Sequence, residues 1–233
     1  MSMIGEKDRK TVQDRLARLA RPVKAVVFTQ EMECQFCSET RELMQELAGL
    51  SDKVKVEVRD FLGDAAEARR LGVDKIPAVV LLGEGDKDYG VRFYGIPAGY
   101  EFVSLLESLE MVSKGDSGLS AATREKLKSL EKPLNLQVFV TPTCPYCPRA
   151  VVLAFKLAME SPRITASMVE ATEFPHLANK YQVSGVPHTV IGDSAQPMIG
   201  AYPEGPAVDL ILNAMAGNGE GDGAPKGGAG GAT

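Results

Sequence analysis

Four cysteines in a chain of 233 residues fall into two C-x-x-C pairs, Cys34/Cys37 and Cys144/Cys147. Each pair follows an apolar, β-branched run and precedes a segment of helical periodicity, so each is expected where a strand gives way to a helix. A helix N-terminus offers unpaired N–H donors and the positive end of a dipole. A thiol held there ionises below its free value of about 8.5. The thiolate is the attacking species in thiol–disulfide exchange. A second cysteine one turn on can reach the first and resolve a mixed disulfide. Cys34 and Cys144 are therefore the expected nucleophiles, and Cys37 and Cys147 the expected resolving thiols.

Neighbouring residues tune the two sites differently. Pro145 near the helix start pre-sets φ and gives up an N–H that had no partner, whereas Gln35 keeps its N–H. Thr143 is a candidate helix cap, while Glu31 and Glu33 put negative charge beside Cys34. Cys144 is thus expected to be the more acidic nucleophile. The alternative is a metal site with four thiolate ligands. Such knuckles are usually separated by roughly 15–20 residues, whereas 106 residues lie between Cys37 and Cys144. No metal site is assigned. A static structural disulfide is weaker still, because C-x-x-C closes too small a loop to constrain an unfolded chain.

The elements around the pairs repeat. A shift of 110 residues carries Cys34 onto Cys144, Val73 onto Val183, Ile76-Pro77 onto Val186-Pro187, and Val80 onto Val190. The halves share little else by identity, and the common offset marks an internal duplication. In the first half the patterning predicts helix 6–20, strand 23–29, helix 35–50 and strand 54–58. Helix 64–71, strand 78–82, a turn over 83–90, strand 91–94 and helix 99–112 follow. The second half predicts helix 119–130, strand 136–140, helix 145–160, strand 164–170 and helix 174–181. Strands 188–192 and 197–200 and helix 206–216 complete it.

Composition narrows the class. Forty-four per cent of residues are apolar, 24 per cent are charged, and the net charge is −5. These are globular proportions, and mild acidity argues against nucleic-acid binding. No apolar run approaches the roughly 18 residues of a spanning helix. The charged N-terminus does not read as a signal peptide, so a cytoplasmic protein without membrane contact is expected. The Ser/Gly/Asp stretch 113–118 places a boundary between units 1–115 and 116–216. Residues 217–233 hold eight glycines and almost nothing apolar, and are expected to be a flexible tail.

Strand, C-x-x-C, helix, strand, helix, [IV]-P, strand, strand, helix resembles the thioredoxin fold. Two such units, with CQFC first and CPYC second, resemble the glutaredoxin-like protein disulfide oxidoreductases of hyperthermophilic archaea and bacteria. The resemblance covers about residues 5–216. It implies an α/β fold of two tandem thioredoxin-like domains, each a central mixed sheet flanked by helices and joined edge to edge or face to face. It also implies that Ile76–Pro77 and Val186–Pro187 are cis bonds packed opposite the dithiols. The backbones of Ile76 and Val186 would then bind an extended substrate by strand addition. The implied activity is reduction, formation and isomerisation of protein disulfides with no bound cofactor and a thioredoxin-reductase-like electron donor. A related resemblance is to the tandem N-terminal module of alkyl hydroperoxide reductase flavoproteins, which keeps one C-x-x-C. That keeps open a relay role beside a peroxidase of peroxiredoxin type, although retention of both pairs favours the stand-alone enzyme.

Other polar residues carry open readings. His188 either approaches Cys144 or is a simple strand residue, and His176 reads as surface. Asp60 and Glu170 end the second strand of each half, and either accept a proton from a buried thiol or cap the next turn. Arg41 and Lys156 read as solvated helix faces. Gly95 and Gly200 precede the final helices and imply a tight turn or a close approach of substrate.

Overall fold

The computed structural model describes residues 3–217. The expected tail, from residue 218 on, lies outside them. The first half runs α1 (Glu6–Ala17), β1 (Val23–Thr29), α2 (Cys37–Ala48), β2 (Val54–Asp60), α3 (Ala65–Arg70), β3 (Ala78–Gly83), β4 (Lys87–Tyr94) and α4 (Glu101–Lys114). The second half repeats this order with α5 (Ala121–Leu127), β5 (Leu134–Val140), α6 (Cys147–Glu160), β6 (Ile164–Glu170), α7 (Pro175–Lys180), β7 (His188–Ile191), β8 (Met198–Ile199) and α8 (Glu204–Gly217).

All eight strands form one sheet in the order β2-β1-β3-β4-β6-β5-β7-β8. Each half contributes four strands in the same internal order, so the halves join edge to edge and not face to face. The junction is parallel, β4 on β6, with Val91 opposite Ala166 and Tyr94 opposite Val169. Phe93 of β4 meets Phe155 of α6 edge to face at 5.0 Å, which ties the junction to the helical layer.

The apolar runs explain the layering. In β1, Ala25 and Val27 face a core shared with α1, α2, α4 and α6. Val26 and Phe28 face a second core that contains Ala68 of α3 and, partly buried, Leu177 of α7. A strand covered on both faces reads as a continuous apolar run. β2 lies at the sheet's edge instead, and its outward charges Lys55, Glu57 and Arg59 suit an exposed edge. Its valines lose cover along the strand, from Val54 (2 % exposed) to Val58 (37 %).

Several boundaries differ from the sequence patterning. α1 stops at Ala17, and Leu19 stays buried through tight i→i+3 turns (Leu19 N–H to Leu16 carbonyl, 3.1 Å). The expected turn 83–90 is a short 3₁₀ turn, 84–86, after which β4 already starts at Lys87. The Asp88 carboxylate secures that early start by accepting from Gly90 N–H at 2.8 Å and from the buried Arg92 guanidinium at 2.6 and 2.9 Å. α4 continues to Lys114, because Ser113 is buried and its hydroxyl exchanges hydrogen bonds with the Arg21 backbone. The helix ends on Gly115 at φ +69°, a left-handed cap that favours glycine. α5 is shorter than 119–130. Ser120 caps it by accepting from Thr123 N–H at 3.2 Å.

Candidate active site

β4 runs antiparallel to β3 and so in the same direction as β1. β6 and β5 follow in parallel. The C-terminal ends of β1 and β5 therefore share one edge of the sheet, and both dithiol loops leave from it. Both pairs are bridged, Cys34 to Cys37 and Cys144 to Cys147, with Cα atoms 5.5 Å apart in each. Four inter-strand steps separate β1 from β5, about 19 Å at roughly 4.8 Å per step. Thiolates so far apart cannot share one zinc, whose sulfur ligands sit near 2.3 Å, so the four-cysteine metal reading fails on geometry.

The helices begin two residues later than the patterning places them. Cys37 and Cys147 are the first helical residues, and Cys34 and Cys144 sit in the preceding turns. Two capping expectations change with this. Tyr146, not Thr143, occupies the N-cap position of α6, and Thr143 is exposed. The proline inside the helix start is Pro148, while Pro145 belongs to the turn. Exposure divides each pair. Cys37 (3 %) and Cys147 (0 %) are sealed in the core, Cys144 retains 8 %, and Cys34 is half-buried. In each pair the first cysteine is the more exposed residue.

The Ile76–Pro77 and Val186–Pro187 bonds are both cis. The Val186 carbonyl oxygen lies 3.8 Å from Cys144 Sγ. The proline carbonyls themselves accept from Gly95 N–H (2.9 Å) and Gly200 N–H (2.8 Å). Those two glycines hold φ of +90° and +98°. A side chain at Gly95 would collide with Glu170 and Glu173, so the close approach there is made by the protein itself.

The remaining polar residues resolve. Asp60 accepts from Gly63 N–H at 2.6 Å, and Glu170 accepts from Thr172 Oγ1 and Glu173 N–H, both at 2.7 Å. Both cap turns. The His188 ring is buried against Phe139 at 6.4 Å, on the sheet face that carries α3 and α7, away from α6 and Cys147. Burial holds its pKa below the usual histidine value. His176 is exposed.

Two carboxyls, one buried and one half-buried, were missed by the sequence patterning. Glu101, in the first turn of α4, is fully buried, and desolvation pushes its pKa up to about 7 although Ser104 Oγ donates to it at 2.6 Å. The residue before it, Tyr100, donates its N–H to the Pro142 carbonyl at 2.9 Å, two residues from Cys144. The first half thus packs its α4 start against the second dithiol loop. Glu173 accepts from Ile96 N–H at 2.7 Å. Burial first, then the charges of Glu170 and Glu39, push it up to about 7. A signal for Glu101 existed: it stands in phase with Leu105, Leu109 and Val112, an apolar stripe at helical spacing.

A strand, a dithiol at the following helix start and a cis-proline across from it, built twice into one sheet, define a thioredoxin-fold thiol–disulfide oxidoreductase. Comparison with known proteins agrees. A thioredoxin-domain family model matches residues 134–209. The crystal structure of a protein disulfide oxidoreductase from Aeropyrum pernix K1 superposes with a TM-score of 0.84 at 33% identity, covering 91% of this chain and 94% of that one. The N-terminal domain of the alkyl hydroperoxide reductase AhpF from Enterococcus faecalis gives 0.82 at 26% identity, over 89% and 99%. The corresponding alkyl hydroperoxide reductase protein of Pseudomonas aeruginosa is 30% identical over 145 residues, 62% of this chain and 26% of that protein. The chain spans about a quarter of the length of the curated relatives it matches. It belongs to the protein disulfide oxidoreductase family.

Proposed function

We propose that the chain reduces, forms and isomerises disulfides in protein substrates, with Cys34 and Cys144 as nucleophiles and Cys37 and Cys147 as resolving thiols. The observation that carries this is the division of burial, in which the first cysteine of each pair is the more exposed residue. In the reducing direction a Cys144 or Cys34 thiolate bonds to one substrate sulfur, and the other substrate sulfur leaves as a thiolate. The Cys147 or Cys37 thiolate then attacks the mixed disulfide and frees the substrate dithiol. Two electrons pass from enzyme to substrate, and the enzyme is left bridged. Run backwards, the same steps introduce a disulfide. The backbones of Ile76 and Val186, each fixed by its proline (Pro77 and Pro187), hold the substrate as an added strand. Units 1–115 and 116–216 each carry one complete site.

The setting is the cytoplasm, with a thioredoxin-reductase-like electron donor. Among the described residues no helix is long and apolar enough to cross a membrane. The likeness to the alkyl hydroperoxide reductase AhpF favours one second reading, a relay that feeds a peroxiredoxin-type peroxidase. Reduction of insulin with dithiothreitol as reductant tests the first reading. The full chain should exceed dithiothreitol alone, and the Cys34→Ser/Cys144→Ser double variant should not. A full chain no faster than dithiothreitol alone refutes it. Mixed disulfides trapped by Cys37→Ser and Cys147→Ser then separate many substrates from one peroxidase.

A further inference from the structure

The segment that links β4 to α4, residues 95–100, belongs to the first half but is anchored on the second. Its start stays at home, where Gly95 N–H donates to the Pro77 carbonyl at 2.9 Å. The next contacts cross over. Ile96 N–H donates to Glu173 at 2.7 Å, and Tyr100 N–H donates to the Pro142 carbonyl at 2.9 Å. Gly99 lies against the same carbonyl. A Cβ there would stand 2.3 Å from the Pro142 oxygen, and φ is +62°. Only glycine permits that approach in that conformation.

Pro142 stands in the loop that presents Cys144. Cys144 N–H returns to the Thr141 carbonyl at 3.1 Å. This closes a turn with Pro142 at its second position, where the fixed φ of proline is suited. The strap from the first half therefore grips this turn by its Pro142 carbonyl. The first dithiol loop is built otherwise. The 110-residue shift sets Met32 against Pro142 and Glu33 against Thr143. Among the described residues no backbone bond closes that loop at Cys34. Glu33 holds a left-handed φ of +59°, and Met32 is 74 % exposed. The Met32 carbonyl accepts from Gln30 Nε2 of its own loop at 2.6 Å. The difference follows from the seam. β4 lies beside the second half, so the strap leaving it meets the second loop, whereas β1 is flanked by β2 and β3 of its own half.

We infer that Gly99 and Tyr100 are positioning residues of the second dithiol: the strap of the first half holds the 141–144 turn in the shape that presents Cys144. The first dithiol sits on a looser loop. All reacting groups of the second site come from the second half, but their placement is shared. The proposal rests on the disulfide-exchange reading and deepens it by giving the two dithiols different preorganisation. A turn already held need not be ordered when substrate arrives. One backbone hydrogen bond of ordinary net strength changes the held population about fivefold.

The test uses two full chains, one with Cys34→Ser/Cys37→Ser and one with Cys144→Ser/Cys147→Ser, so that each dithiol is read alone. Tyr100→Pro enters both. It suits the native φ of −65° at residue 100 but has no N–H. Tyr100→Ala, which keeps the N–H, is the reference. Reduction of a disulfide peptide is followed with dithiothreitol as regenerant. Relative to the reference, Tyr100→Pro should lower kcat/KM about fivefold at the second dithiol and less than about twofold at the first. The pH profile of Cys144 alkylation by iodoacetamide should rise by about half a unit as the sulfur drifts from the start of α6, while that of Cys34 stays. A general loss of stability would slow both dithiols alike and leave the profile in place. Equal losses at both dithiols, no loss at the second, or an unmoved Cys144 profile overturn the proposal. Should Tyr100→Pro not fold, Gly99→Ala is read against Gly72→Ala, which has the same φ and open space around it; a loss that does not favour the second dithiol overturns the proposal equally. In the unsubstituted chain the Tyr100 amide should exchange with solvent at least about tenfold slower than a free amide, and exchange at the free rate also overturns it. A second dithiol no faster than dithiothreitol alone, before any change at residue 100, instead removes the disulfide-exchange reading; the alkylation profile then decides the strap by itself.

Discussion

Replacing Glu101 by Gln offers a direct measure of what a buried carboxyl costs this fold. Glu101 is fully buried and ionises at about 7 in place of 4.5, chiefly through desolvation. Each tenfold change in proton affinity is worth about 1.4 kcal/mol, so this rise corresponds to about 3 kcal/mol. Between pH 4.5 and 7 the folded state binds more protons than the unfolded one, so stability falls as pH rises through that window. Below 4.5 both states are protonated, and the carboxyl carries no such penalty. Glutamine is close in shape and can still accept from Ser104, which now donates at 2.6 Å, but it never ionises. Urea unfolding of the oxidised full chain should therefore find wild type and Glu101→Gln equal near pH 4. Near pH 8 the variant should be more stable by up to about 3 kcal/mol. A variant destabilised equally at both pH values, or a difference that does not grow between them, refutes the reasoning.

Further expectations follow from the same geometry. The Cys144 thiol should titrate below that of Cys34, because Glu31 and Glu33 flank only the latter; Glu31→Gln/Glu33→Gln should narrow the gap by a few tenths of a pH unit, and a Cys34 value already the lower one contradicts the ordering. Gly99→Ala drives a side chain into the Pro142 backbone at φ +62°, so thermal unfolding should show a loss of more than about 2 kcal/mol. Gly72→Ala, at the same φ with open space around it, should cost only about 1 kcal/mol. Burial lowers the His188 pKa from its ordinary 6.5, so the folded state binds fewer protons than the unfolded one as pH falls below that value. Stability should drop as pH falls past that point, and His188→Phe should flatten the drop; an unchanged pH profile argues against it.

Much of the fold lies in local patterns. β1 keeps its expected limits because an apolar run buried on both faces leaves little freedom at its ends, and β6, buried from Ala166 to Glu170 although it includes Ser167, keeps its own. The duplication needs only Cys34/Cys144 and Pro77/Pro187 at one offset. The order of strands across the junction is different in kind. Nothing in the periodicity of Val91-Arg92-Phe93-Tyr94 says that its neighbour is Ala166 to Val169, because that pairing is a long-range choice. The early start of β4 depends on Asp88 reaching Arg92, a side-chain bond that hydropathy does not see. At the site, the cysteines and prolines are visible as types at fixed spacing. Glu101 and Glu173 are not: a glutamate reads as solvent-facing unless, as for Glu101, its phase in the helix is checked against Leu105 and Leu109, and Glu173 lies between β6 and α7, where no periodicity applies. Lys156 reads as solvated for the same reason, yet it shares a groove with Tyr100, Val103 and Tyr202 from distant elements.

The seam between β4 and β6 joins unlike borders, so the ancestral copies stopped being equivalent when they fused. β4 gained a neighbour along Val91 to Tyr94, whereas its counterpart β8 ends the sheet among the described residues and spans only two of them. A change harmless in one copy meets a different environment in the other, so the twins were free to diverge.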